Sequence, residues 1–190
     1  AACGDDGTEK WKYDAGIAIA SVPLIRADGS IVFGAWDGYV YVVSASGAYV
    51  WSAQVAVGHA AQRVAIPGDG TLYATTDKGD IVALTPGGSE KWRYKYAAEG
   101  TWIGGQTPAV SADGTIYVSP SWSNSGVTAL TPNGTLKWVY AVPGASGTMH
   151  TSIDASGAVL VRWSKDNPLV ARLLALNPDK TEKWSIDPTY

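Results

Sequence analysis

Apolar and polar positions alternate along this chain in short runs, each closed by a turn signal, and the spacing of an amphipathic helix is absent. The runs come in groups. A short apolar stretch opens each group, at 22–25, 64–66, 108–110 and 152–153. A Gly-containing turn follows: Asp28-Gly29, Asp69-Gly70, Asp113-Gly114 or Ser156-Gly157. Asp-Gly between β-rich runs is a strong hairpin signal, because both residues tolerate positive φ. The second run starts at once (30–34, 71–75, 115–119, 158–162), and the third covers 39–43, 80–84, 126–130 and 170–176. A second turn comes next, most plainly Thr85-Pro86-Gly87-Gly88 and Thr131-Pro132-Asn133-Gly134. There Pro presets one φ and Gly supplies the left-handed one. The fourth run of each group carries a tryptophan, at 49–54, 91–96, 136–141 and 182–186.

Those tryptophans keep time. Trp11, Trp51, Trp92, Trp138 and Trp184 are separated by 40, 41, 46 and 46 residues, a period that marks stacked supersecondary units. The units span 12–51, 52–92, 93–138 and 139–184, with 1–11 as the tail of a preceding one, and together they make a single segment over 1–190. Four antiparallel strands per unit predict an all-β fold of β-propeller type, with four blades plus an orphan N-terminal strand. The last unit already supplies its own fourth strand, so strand exchange with the N-terminus has no gap to fill. An incomplete ring, or one completed by a partner, is expected, and an open blade edge is a surface for assembly or self-association.

Gly114–Val118 (Gly-Thr-Ile-Tyr-Val), Ala129–Trp138 (Ala-Leu-Thr-Pro-Asn-Gly-Thr-Leu-Lys-Trp) and Ala175–Trp184 (Ala-Leu-Asn-Pro-Asp-Lys-Thr-Glu-Lys-Trp) resemble the pyrroloquinoline-quinone-type propeller repeat. The resemblance covers essentially the whole chain. It implies that an Ala on the third strand and a Trp on the fourth form a docking motif between neighbouring blades. The matching pairs are Ala83/Trp92, Ala129/Trp138 and Ala175/Trp184, with Val42/Trp51 a weakened version and Ala2/Trp11 at the same spacing. A tryptophan so placed offers a large apolar area and an indole N–H for a neighbour's backbone. Quinone-dependent enzymes of the family carry an adjacent cysteine pair and a calcium-binding acidic set. Cys3 is the sole cysteine, which rules out that pair, and the carboxylates do not match residue by residue, so no cofactor is expected. Non-enzymatic relatives include scaffolds of outer-membrane assembly, which points to a non-catalytic protein-binding or assembly scaffold.

Composition narrows the setting. Charged residues make up 16% of the chain, against roughly 25% in typical soluble domains, with Ser, Thr, Ala and Gly in their place. This suits an extracellular, cell-surface or periplasmic β-protein. A net charge of −3 without a Lys/Arg block argues against nucleic acid. No apolar run reaches the roughly 20 residues that span a bilayer as a helix. Two readings of Cys3 stand: a core residue of a strand, from its alignment with Leu84, Leu130 and Leu176, or a lipid-anchored cysteine after Ala1-Ala2.

Function, if it lies in loops, belongs to the longer and more irregular set. Trp36, Trp122 and Trp163 fall at second-to-third strand connections, and Trp102 in a blade-to-blade segment. Such rings can anchor a protein loop or stack on a sugar, or they can seal the blade tops against water. A second group, Arg63, Gln106, Thr107 and His150, marks the start of each innermost strand and is expected at the mouth of the central channel, with His59 nearby. That group is either a ligand site or a solvated rim. A carbohydrate-binding propeller and a fragment of a quinoprotein dehydrogenase or other propeller enzyme are the rival expectations.

Overall fold

The computed structural model describes residues 2–97, 106–120, 126–142, 149–166 and 169–186. Every regular element among them is a β-strand. A hairpin of β1 (Ala2–Cys3) and β2 (Glu9–Trp11) comes first. Blade one follows as β3 (Leu24–Ile25), β4 (Ile31–Gly34), β5 (Tyr39–Val43) and β6 (Tyr49–Gln54). Blade two is β7 (Ala61–Ala65), β8 (Leu72–Thr76), β9 (Asp80–Leu84) and β10 (Glu90–Lys95). Blade three is β11 (Ala109–Val110), β12 (Ile116–Val118), β13 (Gly126–Leu130) and β14 (Leu136–Ala141). Blade four is β15 (Met149–Ile153), β16 (Val159–Asp166), β17 (Leu169–Leu176) and β18 (Glu182–Ile186). Within each blade consecutive strands pair antiparallel, and the sheets do not close into a ring.

The core lies between blades, because alternate residues of a strand face opposite neighbours. Val32, Val40 and Val42 of blade one pack with Leu72, Ala74, Val82 and Leu84 of blade two. The other face of blade two, Tyr73, Ile81 and Ala83, packs on Ile116, Val118 and Leu130 of blade three. Tyr117, Val127 and Ala129 then meet Val159, Val161, Leu174 and Leu176 of blade four. The first hairpin covers only part of blade one. Beside it, a pocket of about 500 Å³ opens over Ile25, Ile31, Phe33 and Val43.

The five periodic tryptophans are cross-strand partners of Ala2, Val42, Ala83, Ala129 and Ala175. Three of the indoles hydrogen-bond to the next blade. Trp11 Nε1 donates to the Ala45 carbonyl at 2.9 Å, Trp92 to Pro132 at 2.8 Å and Trp138 to Pro178 at 2.9 Å. The rings of Trp11, Trp51 and Trp92 lie against Gly47, Gly88 and Gly134, each with positive φ. A Cβ at these glycines would come within 2.6, 2.8 and 2.6 Å of the indole, so only glycine gives the ring its seat. The fourth seat breaks the pattern with Lys180 at φ 68°, the one described non-glycine residue in that region.

The lysine before the tryptophan also has a task. Lys137 Nζ donates to Thr115 Oγ1 at 2.8 Å and Lys183 Nζ to Ser156 Oγ at 3.1 Å. Each ties the outermost strand of a blade to the turn between its two innermost strands. Those turns are held by Asp69 and Asp113, whose carboxylates accept from the backbone and side chain of Thr71 and Thr115, and by Asp28 and Asp154 likewise.

One expectation is corrected here. Cys3 sits in a strand, as its alignment requires, but it is exposed rather than core. Its equivalents Leu84, Leu130 and Leu176 are covered by the second strand of their own blades, and among the described residues no such strand lies over Cys3.

Candidate functional site

The loop-rich face of blade one carries Trp36, the one exposed loop-face tryptophan among the described residues. Trp36 follows β4 in a turn whose shape is fixed by Asp37. The Asp37 carboxylate accepts from the Tyr39 N–H at 3.1 Å and from the Tyr41 hydroxyl at 2.6 Å. That hydroxyl bond, with burial second, pushes the Tyr41 pKa up to about 12. The turn is anchored on both sides. The Trp36 N–H donates to the Ala18 carbonyl of the preceding connection at 3.0 Å, Gly38 accepts from Val55 of the following connection at 2.8 Å, and Ala35 accepts from Ala61 at the start of β7 at 3.0 Å.

The consequence is a rigid turn presenting an open indole, 48% exposed. Ile17 and Ile19 on the preceding connection and Val57 on the following one are exposed as well, Val57 at 79%. Exposed apolar side chains on firmly held loops make this face the candidate contact surface. Alongside Val57 runs a groove of about 330 Å³ lined by His59, Lys78, Asp80, Arg93 and Lys95. Arg93 is held there by the Val55 carbonyl at 2.7 Å and Glu90 at 2.9 Å, and Lys95 lies 3.5 Å from Asp80. The groove is therefore mainly cationic beside an apolar ridge.

Of the other loop-face tryptophans, Trp163 alone is among the described residues, and it does not repeat this arrangement. Trp102 and Trp122 lie outside the described residues. Trp163 is corrected: it stands inside β16, 5% exposed, packed among Val142, Met149, Val161 and Leu174. The β16–β17 hairpin is longer than its equivalents and draws this residue into the sheet, where Arg172 lies 5.5 Å over its ring. In blade two Asp77 takes the place of Trp36 and is buried, with its Oδ1 left without a hydrogen-bond partner.

At the channel, residues six before each inner turn are open to solvent or half-buried, while Ser21 and Met149 beside them are buried. Arg63 is tied across blades, donating to the Ala20 carbonyl at 2.7 Å and the Gln62 carbonyl at 3.0 Å. Gln106 is bound to blade two through its own carbonyl, which accepts from Thr75 Oγ1 at 3.1 Å. Arg162, the cross-strand partner of His150, joins them. Partial burial, then the charges of Arg162 and Arg63, hold the His150 imidazole below its usual pKa. Arg63 and His150 thus share a cationic rim, whereas His59 lies in the groove. Arg162 was legible only through strand pairing, since nothing in its own segment marks it. Among the described residues no three His, Cys, Asp or Glu side chains gather where they could hold a metal ion.

Comparison with known proteins agrees with this architecture. Among solved structures, a protein of unknown function from Bacteroides caccae superimposes with a TM-score of 0.68 at 18% identity, over 96% of this chain and 66% of that one. BamB from Moraxella catarrhalis matches with a TM-score of 0.64 at 18% identity, over 95% of this chain and 68% of its own. The quinohemoprotein alcohol dehydrogenase from Comamonas testosteroni gives a TM-score of 0.75 at 18% identity, over 93% of this chain but 36% of its own. The chain thus spans about two thirds of the first two and about a third of the dehydrogenase. At this identity the likeness is one of fold. No curated protein matches the chain. A family profile described as outer membrane protein assembly factor BamB matches residues 36–186, the greater part of the sequence. The chain belongs to that family, whose propeller repeat is of the pyrroloquinoline-quinone type.

Proposed function

We propose that this chain is a non-catalytic protein-binding scaffold of the cell envelope that takes its partner on the loop face of blade one. The observation that carries the reading is the half-exposed Trp36, held on a turn anchored to both flanking connections and bordered by exposed Ile17, Ile19 and Val57. Hot spots of protein interfaces favour a rigid aromatic anchor with apolar surroundings and Arg nearby, and the groove supplies Arg93. The family's description, an assembly factor of the outer membrane, supports both the protein partner and the envelope setting.

The test compares the two faces of the propeller. A photo-crosslinking residue placed at Trp36, or at Asn133 in an exposed turn of the opposite face, is activated in envelope extract. Discrete protein adducts at position 36 and none at 133 are expected. Equal labelling of both positions, or none at 36, sinks the reading. The enzyme alternative is checked separately: pyrroloquinoline quinone with calcium should leave the melting temperature unchanged, and a clear rise would restore a cofactor role.

A further inference from the structure

Blade two departs from the repeat at three positions, and the three departures meet in one groove. Strand register equates Lys78, Arg93 and Lys95 with Asp37, Ser52 and Gln54 of blade one. Blades three and four carry Val139 and Ser185 where β10 has Arg93, and blade three carries Ala141 where β10 has Lys95. The outer strand therefore folds with neutral side chains at these places. Lys91 is different. It recurs as Lys137 and Lys183, and its Nζ lies 3.5 Å from Thr71 Oγ1 as their amines hold Thr115 and Ser156, so it serves the blade.

The groove runs between β9 and β10 on one side and the connection after β6 on the other. Arg93 bridges it, donating to the Val55 carbonyl at 2.7 Å and to Glu90 at 2.9 Å. These bonds use two of the five guanidinium donors, so the fork is fixed in place and can still donate. Lys95 stands 3.5 Å from Asp80 in a pair that is partly open to water, and such pairs contribute little on their own. Lys78 and His59 line the loop end. Among the described residues, three cations thus meet two carboxylates, Asp80 and Glu90, in a chain of net charge −3. The facing wall, 49–61, holds no Asp, Glu, Lys or Arg. Both walls belong to adjacent blades, so no other blade of a ring can enter between them.

We infer that this groove takes an acidic segment of the protein partner, lying extended with its carboxylates on Arg93 and Lys95 and an apolar residue on Val57. The inference deepens the loop-face reading and rests on it for where the partner continues. The connection after β6 packs so closely on the Trp36 turn that a Cβ at Gly38 would strike the Ala56 and His59 carbonyls, so groove and turn form one surface. Charge complementarity selects an acidic occupant. Arg93 and Lys95 alternate on one face of a strand, about 7 Å apart, which is also the spacing of alternate side chains in an extended peptide. A guanidinium fork suits a carboxylate in particular. A lipid surface fits less well, because headgroups meet a flat or convex patch and these cations line a recess beside a wall.

The probe is a fluorescent peptide with glutamate at alternate positions and one terminal phenylalanine, titrated with the full chain. Saturable binding that weakens as salt is raised is expected. Lys78→Asp, Arg93→Ser and Lys95→Gln together give blade two the residues of blade one. They should weaken binding by at least about tenfold while the melting temperature holds. Should the triple variant melt early, the exposed change Lys95→Gln alone should give a smaller loss in the same direction. Val57→Ser should weaken only a probe that keeps its phenylalanine. No saturable binding, equal binding of a glutamine-substituted probe, or groove variants that bind like wild type overturns the inference. So does a chain that ignores the peptide yet holds phosphatidylglycerol vesicles through the same three residues, which would assign the groove to a membrane surface. Failure here with adducts still formed at position 36 leaves the loop-face reading standing, and peptide binding without such adducts overturns that reading alone.

Discussion

The joint between blades two and three and the outer face of blade four are built from the same repeat positions, yet one is closed and the other open. At the closed joint Trp92 is packed against Tyr73, bonded to the Pro132 carbonyl and seated on Gly134. At the open face Trp184 stands over Ala175 with every residue of β18 exposed. The residue is the same and its strand partner is the same; the difference is the neighbour. A tryptophan in this repeat therefore has no fixed energetic weight, since its contribution comes from the blade that follows.

The largest expected effect lies in that contrast. Trp92→Ala removes ring packing and an interblade hydrogen bond and should cost about 3–5 kcal/mol by chemical denaturation. Trp184→Ala should cost less than about 1 kcal/mol, in line with surface substitutions. Similar losses at the two sites would break the comparison.

A smaller effect separates two closed joints. Lys180 adopts the left-handed conformation where the other seats have glycine, at a cost of about 1–2 kcal/mol for an L-residue. Glycine gives back roughly 0.5–1 kcal/mol through the unfolded chain, so Lys180→Gly should stabilise by about 0.5–1 kcal/mol net. A loss of stability there would mean that the lysine side chain contributes more than its backbone costs.

The smallest effect is a pH dependence. Hydrogen bonds from Ser111, then from Thr115, lower the Asp113 pKa from 3.8 to about 2. A depressed carboxylate contributes stability that is present above its unfolded pKa and lost as pH falls through the folded one. Asp113→Asn should therefore flatten the fall in melting temperature between about pH 4 and pH 2. An unchanged acid limb would assign that fall to other groups.

The repeating strands were readable because turn chemistry and alternation point the same way. The third strands at Tyr39–Val43, Asp80–Leu84 and Gly126–Leu130 fall where the runs predict them. The innermost strands were less legible. Blade two begins its first strand at Ala61 rather than Val64, because short strands are bounded by pairing partners and not by their own apolar residues. Trp163 shows the same limit from another side. Trp163, Ser164 and Lys165 read as a polar connection, but pairing with 170–172 continues the ladder through them. The candidate face was half legible: Trp36 stood out by type, while the exposure of Ile17, Ile19 and Val57 depends on how two connections lie across the blade.

Because each hydrophobic core is shared by two blades, no blade owns one. A gene cut at a blade boundary therefore splits a core and leaves both fragments with an uncovered apolar wall. The natural unit for shortening, lengthening or transplanting this protein is a pair of facing half-blades, and fragments meant to stay soluble need polar substitutions on whichever wall the cut lays bare.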